Sequence, residues 1–273
     1  MKTLGEKITV RKILRKKERG EKIVMTTAYD YVFAKLVDEA GVDIILVGDS
    51  AAMVVWGMDN TLGISMRTML EHVRAVARAR PMALVVADMP FMSYELGPTQ
   101  AARSAGAFAR AGAEAVKLEG GEEFRDEIRA IVRAGIPVMG HVGLTPQRYL
   151  RLGGYRLIGK KLDEREQVLR DAEAVQEAGA FSVVLEFVVA EVAREVTERL
   201  AIPTICIGSG PYCDGQVLVL HDIIGLSASP PPFAKKYADI SASTRDALRR
   251  FAEEVRSRVF PGREHYFTAA GST

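Results

Sequence analysis

Four times along this chain an Ala-Gly pair is followed by a short apolar run that ends on a polar side chain. Ala40-Gly41 leads through Ile44-Ile45-Leu46-Val47-Gly48 to Asp49, Ala111-Gly112 leads to Glu119, Ala134-Gly135 to His141, and Ala178-Gly179 to Glu186. Glycine just past a helix accepts the left-handed backbone that a Cβ resists, so each pair reads as a helix C-cap and a turn into a strand. Helix, cap, buried strand and polar tip, repeated, is the rhythm of a parallel α/β protein.

At 273 residues the chain is ample for one large α/β barrel and marginal for two ordinary domains, so residues 1–273 are expected to form a single catalytic domain. With 37 basic and 35 acidic residues, the net charge of +2 supplies no field that would select nucleic acid or a membrane surface. The basic cluster Arg11, Lys12, Arg15, Lys16, Lys17 and Arg19 reads as a solvated helix face. Cys206 and Cys213 make no disulfide framework and show no metal-type spacing, which suits a reducing cytoplasm. No apolar run is long enough to span a bilayer, and the charged N-terminus lacks the apolar core of a signal segment.

In order, a basic lead-in helix at about residues 7–18 precedes a first strand, Ile23–Thr27. A helix from Asp30 to Ala40 presents Phe33, Val37 and Ala40 on one face. After the second strand comes a structured insert, Ala51–Ser65, then a third strand, Ala83–Asp88, stopped by Met89-Pro90. Pro98 and Thr99 open an alanine-rich helix. The fourth strand is Ala115–Glu119 and the fifth runs from Pro137 to His141. The fifth is followed by roughly twenty residues around Gly153-Gly154-Tyr155, long enough to be a lid. Helices burying Val168, Ala172 and Val175, then Val192, Val196 and Leu200, flank a sixth strand, Ser182–Glu186. Strands Pro203–Gly208 and Gln216–Leu220 bring the count to eight, and Pro230-Pro231-Pro232 precedes a final helix carrying Leu248, Phe251 and Val255. The expected fold is α/β, a (β/α)8 TIM barrel with an N-terminal lead-in helix; a doubly wound sheet would give a similar local pattern.

Side chains alternate along a strand, which groups Ile45, Val47 and Asp49; Leu84, Val86 and Asp88; Lys117 and Glu119; and Ser182, Val184 and Glu186. In a barrel such tips converge at the carboxyl-terminal mouth, where barrel enzymes place their chemistry. One acid ending a strand reads equally well as a helix cap or a surface charge; four at equivalent places do not. Buried anions each cost several kcal/mol (~20 kcal/mol in the idealised limit) unless compensated, and a divalent metal is the simplest compensation. Hard oxygen ligands suit Mg²⁺, which would accept the carboxylate and keto oxygens of a 2-oxo acid; the absence of a thiolate cluster argues against zinc. Asp49, Asp88 and Glu119 are the expected metal group, directly or through water, with Lys117 neutralising a bound anion. His141 is either a further site residue or a partner for backbone. Gly208-Ser209-Gly210 is a weak phosphate-cradle pattern better read as a turn, His221-Asp222 reads as a structural hydrogen bond, and Met53, Met58, Met66 and Met69 as packing.

Longer segments are more specific. Leu46–Ser50, Ala87–Met92, Val116–Gly121, Gly140–Gln147, Leu220-His221-Asp222, Phe233-Ala234-Lys235 and Phe260-Pro261-Gly262 together resemble, in order from about Lys22 to Phe267, the ketopantoate hydroxymethyltransferase family. The resemblance implies a Mg²⁺-dependent barrel enzyme. It would transfer a hydroxymethyl group from 5,10-methylenetetrahydrofolate to 3-methyl-2-oxobutanoate through a Mg-stabilised enolate, giving ketopantoate for pantothenate synthesis. It further implies metal binding by Asp49, Asp88 and Glu119, 2-oxo acid binding by Asp49, Ser50, Asp88 and Lys117, proton removal by Glu186, and a homo-oligomer, a decamer. Three positions depart from the family pattern: Ala52 for glycine, Gly63 for proline and Ser209 for alanine. Competing readings are a metal-independent aldolase using Lys117 as a Schiff base, a lyase or mutase acting on other 2-oxo acids, and a non-catalytic anion-binding barrel.

Overall fold

The computed structural model describes residues 6–269. Among them, eight parallel strands close into a barrel in chain order, with β1 pairing both β2 and β8. The strands are β1 Ile23–Thr27, β2 Ile44–Val47, β3 Leu84–Asp88, β4 Ala115–Glu119, β5 Val138–Gly143, β6 Ser182–Glu186, β7 Thr204–Ile207 and β8 Gly215–Leu218. The helices are α1 Val10–Glu18, α2 Tyr31–Glu39, α3 Ala51–Val54, α4 Met66–Arg78, α5 Pro98–Ala111, α6 Arg125–Arg133, α7 Tyr149–Leu152, α8 Leu162–Glu177, α9 Ala190–Arg199, α10 Leu220–Ile223 and α11 Ile240–Arg256. This is the (β/α)8 barrel expected. The chain divides after Leu220 into two compact units, the first holding the barrel and the second holding α11.

The four repeat glycines adopt the predicted left-handed backbone, with φ of 80° at Gly41, 109° at Gly112, 86° at Gly135 and 98° at Gly179. At Gly112 space is short as well, since a Cβ would lie 2.5 Å from that of Ala77. The repeat therefore marks where each helix is reversed into a strand.

Inside the barrel every strand contributes to one apolar cluster, including Ile23 and Met25, Ile44 and Leu46, Leu84 and Val86, Met139, Val184, Ile205 and Val217. Ile13 of α1, fully buried, joins it, with Ile8 and Val10 packed alongside. The lead-in helix is thus a plug. Its basic face is not simply solvated: Lys16 reaches Asp43 at 2.7 Å and Lys17 reaches Asp214 at 2.8 Å.

Several local expectations are corrected. On β2 the inward residues are Ile44 and Leu46, paired in register with Leu84 and Val86, not Ile45 and Val47. Helix α4, Met66–Arg78, fills the stretch before β3 that periodicity left unassigned; it buries Met69, Val73 and Val76 under a Ser65 cap. On α2 the buried positions are Ala34 and Val37, while Ala40 is an exposed C-cap. Cys206 and Cys213 are joined as a disulfide, against the expectation of no disulfide framework. The turn from β7 towards β8 folds back until their Cα atoms lie 5.7 Å apart, within the roughly 4.4–6.8 Å that a disulfide bridges. In the second unit α11 buries no side chain, and Leu248, Phe251 and Val255 are exposed.

Candidate active site

Strand ends, not loops, supply most of the charged groups. The barrel register sets Asp88 beside Lys117, Glu119 beside His141, and Gly143 beside Glu186, so consecutive strands deliver them to one end. Asp49 arrives differently. β2 stops at Val47, and the turn Gly48-Asp49-Ser50 carries the carboxylate back over the mouth, where the Asp49 N–H donates to Asp88 Oδ2 at 3.1 Å. A Cβ on Gly48 would lie 2.7 Å from Ser50 Oγ and 3.5 Å from Asp88 Oδ2, so glycine makes the space that this turn needs.

The contacts form one connected network. Lys117 Nζ lies 2.6 Å from Asp88 Oδ1 and 3.1 Å from His141 Nδ1. His141 Nδ1 is 3.6 Å from Glu119 Oε1, and its Nε2 is 3.0 Å from Glu186 Oε2. An ammonium only donates, so Nδ1 must accept from Lys117, and the imidazole proton resides on Nε2, beside Glu186. Ser50 Oγ is 2.9 Å from the Tyr29 hydroxyl. The structure therefore gathers Asp49, Ser50, Asp88, Lys117, Glu119, His141 and Glu186 at the carboxyl-terminal mouth. Asp49, Asp88, Lys117, Glu119 and His141 are each no more than 6 % exposed.

Burial without enough positive charge shapes the electrostatics. Burial first, then repulsion from Asp88, pushes the Asp49 carboxyl up to about 7, against the opposing pull of Lys117 and Gln147. Burial and then Asp49 hold Glu119 well above the ordinary carboxylate range. Burial pushes Glu186 up to about 7, with Lys117 pulling the other way. His141 is held well below its usual value by burial and by Lys117, and stays neutral. Burial alone would depress Lys117; Asp88, Glu119 and Asp49 outweigh it and raise the ammonium above its usual value. A Schiff-base lysine needs the opposite, a depressed pKa, so these neighbours weigh against the aldolase reading.

One lysine facing four carboxylates, three of them buried and Glu186 part-buried, leaves negative charge uncompensated, and this excess is what a divalent cation would neutralise. Among the described residues no three such side chains are drawn together tightly enough to cage an ion. That is compatible with Mg²⁺, which keeps several waters and is held by one or two carboxylates together with its substrate. Asp49, Asp88 and Glu119 offer the hard oxygens it prefers.

Two residues without any strand-end signal complete the site. Gln147, from the loop after β5, donates from Nε2 to Asp49 Oδ2 at 2.8 Å and to the Met89 carbonyl at 2.9 Å, and its main-chain N–H donates to Glu119 Oε2 at 3.0 Å. Tyr94 donates to Gln147 Oε1 at 2.8 Å. Ser209, one of the departures, supports the mouth from below: its hydroxyl donates to the Leu185 carbonyl at 2.8 Å and accepts from the Val188 N–H at 2.9 Å, on either side of Glu186. The glycines around it take positive φ, 65° at Gly208 and 81° at Gly210, as the turn reading requires. Tyr155 lies on the segment expected to be a lid. Its hydroxyl approaches Met53 Sδ at 3.9 Å, and its pKa is pushed up to about 12 by burial and then by the charge of Glu186.

A model of the family "Ketopantoate hydroxymethyltransferase" matches residues 7–263. The 3-methyl-2-oxobutanoate hydroxymethyltransferase of Staphylothermus marinus is 61 % identical over 96 % of this chain and 96 % of its own length. That of Hyperthermus butylicus is 62 % identical over 96 % of this chain and 91 % of its own. Among solved structures, phosphonopyruvate hydrolase complexed with oxalate and Mg²⁺ superposes with a TM-score of 0.61 at 16 % identity, covering 94 % of this chain and 92 % of that one. 2,3-Dimethylmalate lyase, of the PEP mutase/isocitrate lyase superfamily, gives 0.58 at 20 % identity, covering 95 % and 92 %. At these identities the two structures share its fold and nothing further is carried from them.

Proposed function

This chain belongs to the ketopantoate hydroxymethyltransferase family, and from that premise we propose that it transfers a hydroxymethyl group from 5,10-methylenetetrahydrofolate to 3-methyl-2-oxobutanoate, forming ketopantoate in pantothenate synthesis. Atom balance consumes one water: the methylene carbon joins C3 of the 2-oxo acid, water supplies the hydroxyl oxygen, and tetrahydrofolate leaves. The observation that carries this reading is a part-buried carboxylate, Glu186, with its pKa raised to about 7, set beside a separate group of three acids and one lysine at a barrel mouth.

Asp49, Asp88 and Glu119, directly or through water, would hold Mg²⁺, which when bound supplies Lewis-acid polarisation of the 2-oxo acid's carbonyl. Lys117 and Ser50, with the same two aspartates, would bind the acid's carboxylate and keto oxygens. Lys117 keeps its charge through the pH range of the reaction, so it can stabilise negative charge as it develops on the substrate. Glu186 takes the C3 proton; a carboxylate with a pKa near the working pH is both ionised often enough and basic enough for the task. Neutral His141 sets its Nε2 3.0 Å from Glu186 Oε2, in contact but without the geometry of a hydrogen bond. The carbanion at C3 then meets the one-carbon unit.

The same reading assigns the protein to a homo-oligomer, a decamer; the cytoplasm expected from the cysteines loses that support with the Cys206–Cys213 disulfide. The exposed apolar side chains of α11, Leu248, Phe251 and Val255, support association between copies; among the described residues no helix is long and apolar enough to cross a membrane. The direct test is ketopantoate formation from the two substrates, with and without a chelator. Product that appears only with Mg²⁺ supports the reading. Turnover unaffected by chelation removes the metal from it, and no product under either condition removes the activity.

A further inference from the structure

Gln147 is almost fully buried, and every polar atom of its side chain is committed. The orientation of its amide is dictated by its neighbours. The Asp49 carboxylate and the Met89 carbonyl can only accept, so Nε2 must face them and use both of its hydrogens there. Oε1 then takes the hydroxyl hydrogen of Tyr94, and the Tyr94 oxygen in turn accepts from the Glu119 N–H at 3.3 Å. A chain of donors therefore runs from the Glu119 main chain through Tyr94 and Gln147 to Asp49 Oδ2. The Gln147 main-chain N–H closes it by donating to Glu119 Oε2. Two acids 70 positions apart in sequence are in this way tied to one neutral amide, each by one oxygen.

We propose that Gln147 is a positioning residue for the acid group: it orients Asp49 and Glu119 by occupying one oxygen of each, and so sets the affinity of the barrel mouth for a divalent cation. The inference rests on the reading that these acids hold such an ion. Two features favour positioning over simple packing. The residue contacts both acids through hydrogen bonds to charged oxygens, which are stronger and more directional than neutral ones. It is also held from behind, by Tyr94 and by the Met89 carbonyl, so its amide stays aimed at Asp49 whatever else the carboxylate binds. A packing residue needs neither; a residue that presets ligand geometry needs both.

The test uses the full chain and Mn²⁺ alone, following free Mn²⁺ by its paramagnetic resonance signal and the bound ion by its own spectrum, with no substrate present. Gln147→Met keeps the length and volume of the side chain and removes its donors and acceptor. The expected result is a Kd for Mn²⁺ raised at least tenfold, with an altered spectrum of the bound ion. Tyr94→Phe, which frees the back of the amide and removes the acceptor of the Glu119 N–H, should shift Kd the same way by a smaller factor, about threefold, and keeps the proposal open to refutation if the first variant does not fold. Folded variants that both bind Mn²⁺ with the Kd of the unaltered protein overturn the proposal, as does a lowered Tm with unchanged Kd, the signature of a packing role. If the unaltered chain takes up no Mn²⁺, the metal reading itself fails and this inference falls with it.

Discussion

The two ends of the barrel use the same kinds of charged residue in opposite ways. At the amino-terminal end Asp43, Glu114 and Asp214 each stand just before a strand. Each meets a lysine: Lys16 at 2.7 Å, Lys7 at 2.6 Å and Lys17 at 2.8 Å. Each also accepts a main-chain N–H from a neighbouring strand, those of Val24, Val85 and Thr204. Each of these three anions has its own cation and a structural donor. At the carboxyl-terminal end Asp49, Asp88, Glu119 and Glu186 share Lys117 and a neutral histidine. The first arrangement fastens α1 across the barrel floor; the second is electrostatically incomplete and waits for ligands. Matched charge marks the end that holds the fold, and unmatched charge marks the end proposed to do chemistry.

The contrast is broken most directly at Glu186. Glu186→Gln should lower exchange of the C3 proton of 3-methyl-2-oxobutanoate by about 10²–10⁴-fold, the usual worth of a general base, and leave metal-dependent binding of the 2-oxo acid in place. Isotope exchange followed by proton resonance measures this, and unchanged exchange would take Glu186 out of the mechanism. Lys117→Met should be nearly as severe, in stability instead of rate. Removing the cation paired with buried Asp88 costs about 3–5 kcal/mol, read as a lower urea midpoint at neutral pH. A variant as stable as the unaltered protein would mean that the fold does not depend on the Lys117–Asp88 pair.

How far this division was legible in the sequence depends on how local each residue's signal is. Lys117, Glu119, His141 and Glu186 were legible because an Ala-Gly cap and a period of two fix both where the strand ends and which way its last side chain points; Asp88, which no such cap precedes, was legible from its apolar run and the Met89-Pro90 stop. Asp49 was found for a reason that fails in detail: it lies beyond the end of β2 and out of phase with the inward pair Ile44 and Leu46, and a turn brings it back. Gln147 sits within a recognisable segment, yet nothing in a loop's sequence says that a side chain will fold back 98 positions to Asp49. Lys16 and Lys17 read as solvated because a helix shows its charged face without showing what stands opposite. The cysteine pair was missed likewise, since proximity is made by the turn between the strands and not by spacing. On α11 the apolar residues were visible, but a periodic pattern does not say what covers a face.

The unmatched end also makes the stability of the chelated protein depend on pH. Glu186 has its pKa raised from 4.5 to about 7 by burial, opposed by Lys117. Between these values the folded chain holds a proton that the unfolded chain has released, so this carboxyl's contribution is complete below about 4.5 and is lost as pH rises through about 7. The loss amounts to about 3 kcal/mol by pH 8. Urea unfolding in chelator should therefore show stability falling over that window, with a shallower fall in Glu186→Gln; equal slopes in the two proteins would deny the shift. Because the base must be ionised to act, turnover should rise over the same interval in which the metal-free fold weakens.

The smallest effect belongs at the other end. Lys16 is about a quarter exposed, and Asp43 keeps the Val24 N–H when the lysine is removed. Lys16→Met should thus cost about 1 kcal/mol, near the upper limit for an ion pair that water still reaches, and lower Tm by about 2–4 °C in a chain of this size. The cost should shrink in high salt, which screens the pair in the unaltered protein. Turnover and Mn²⁺ affinity should not change, because the apolar cluster that includes Ile13, Met25, Leu46 and Val86 lies between the floor and the acids and carries no charge. A kcat that falls with Lys16→Met would show that the floor and the mouth are coupled through that core, and that the division of labour between the two ends is incomplete.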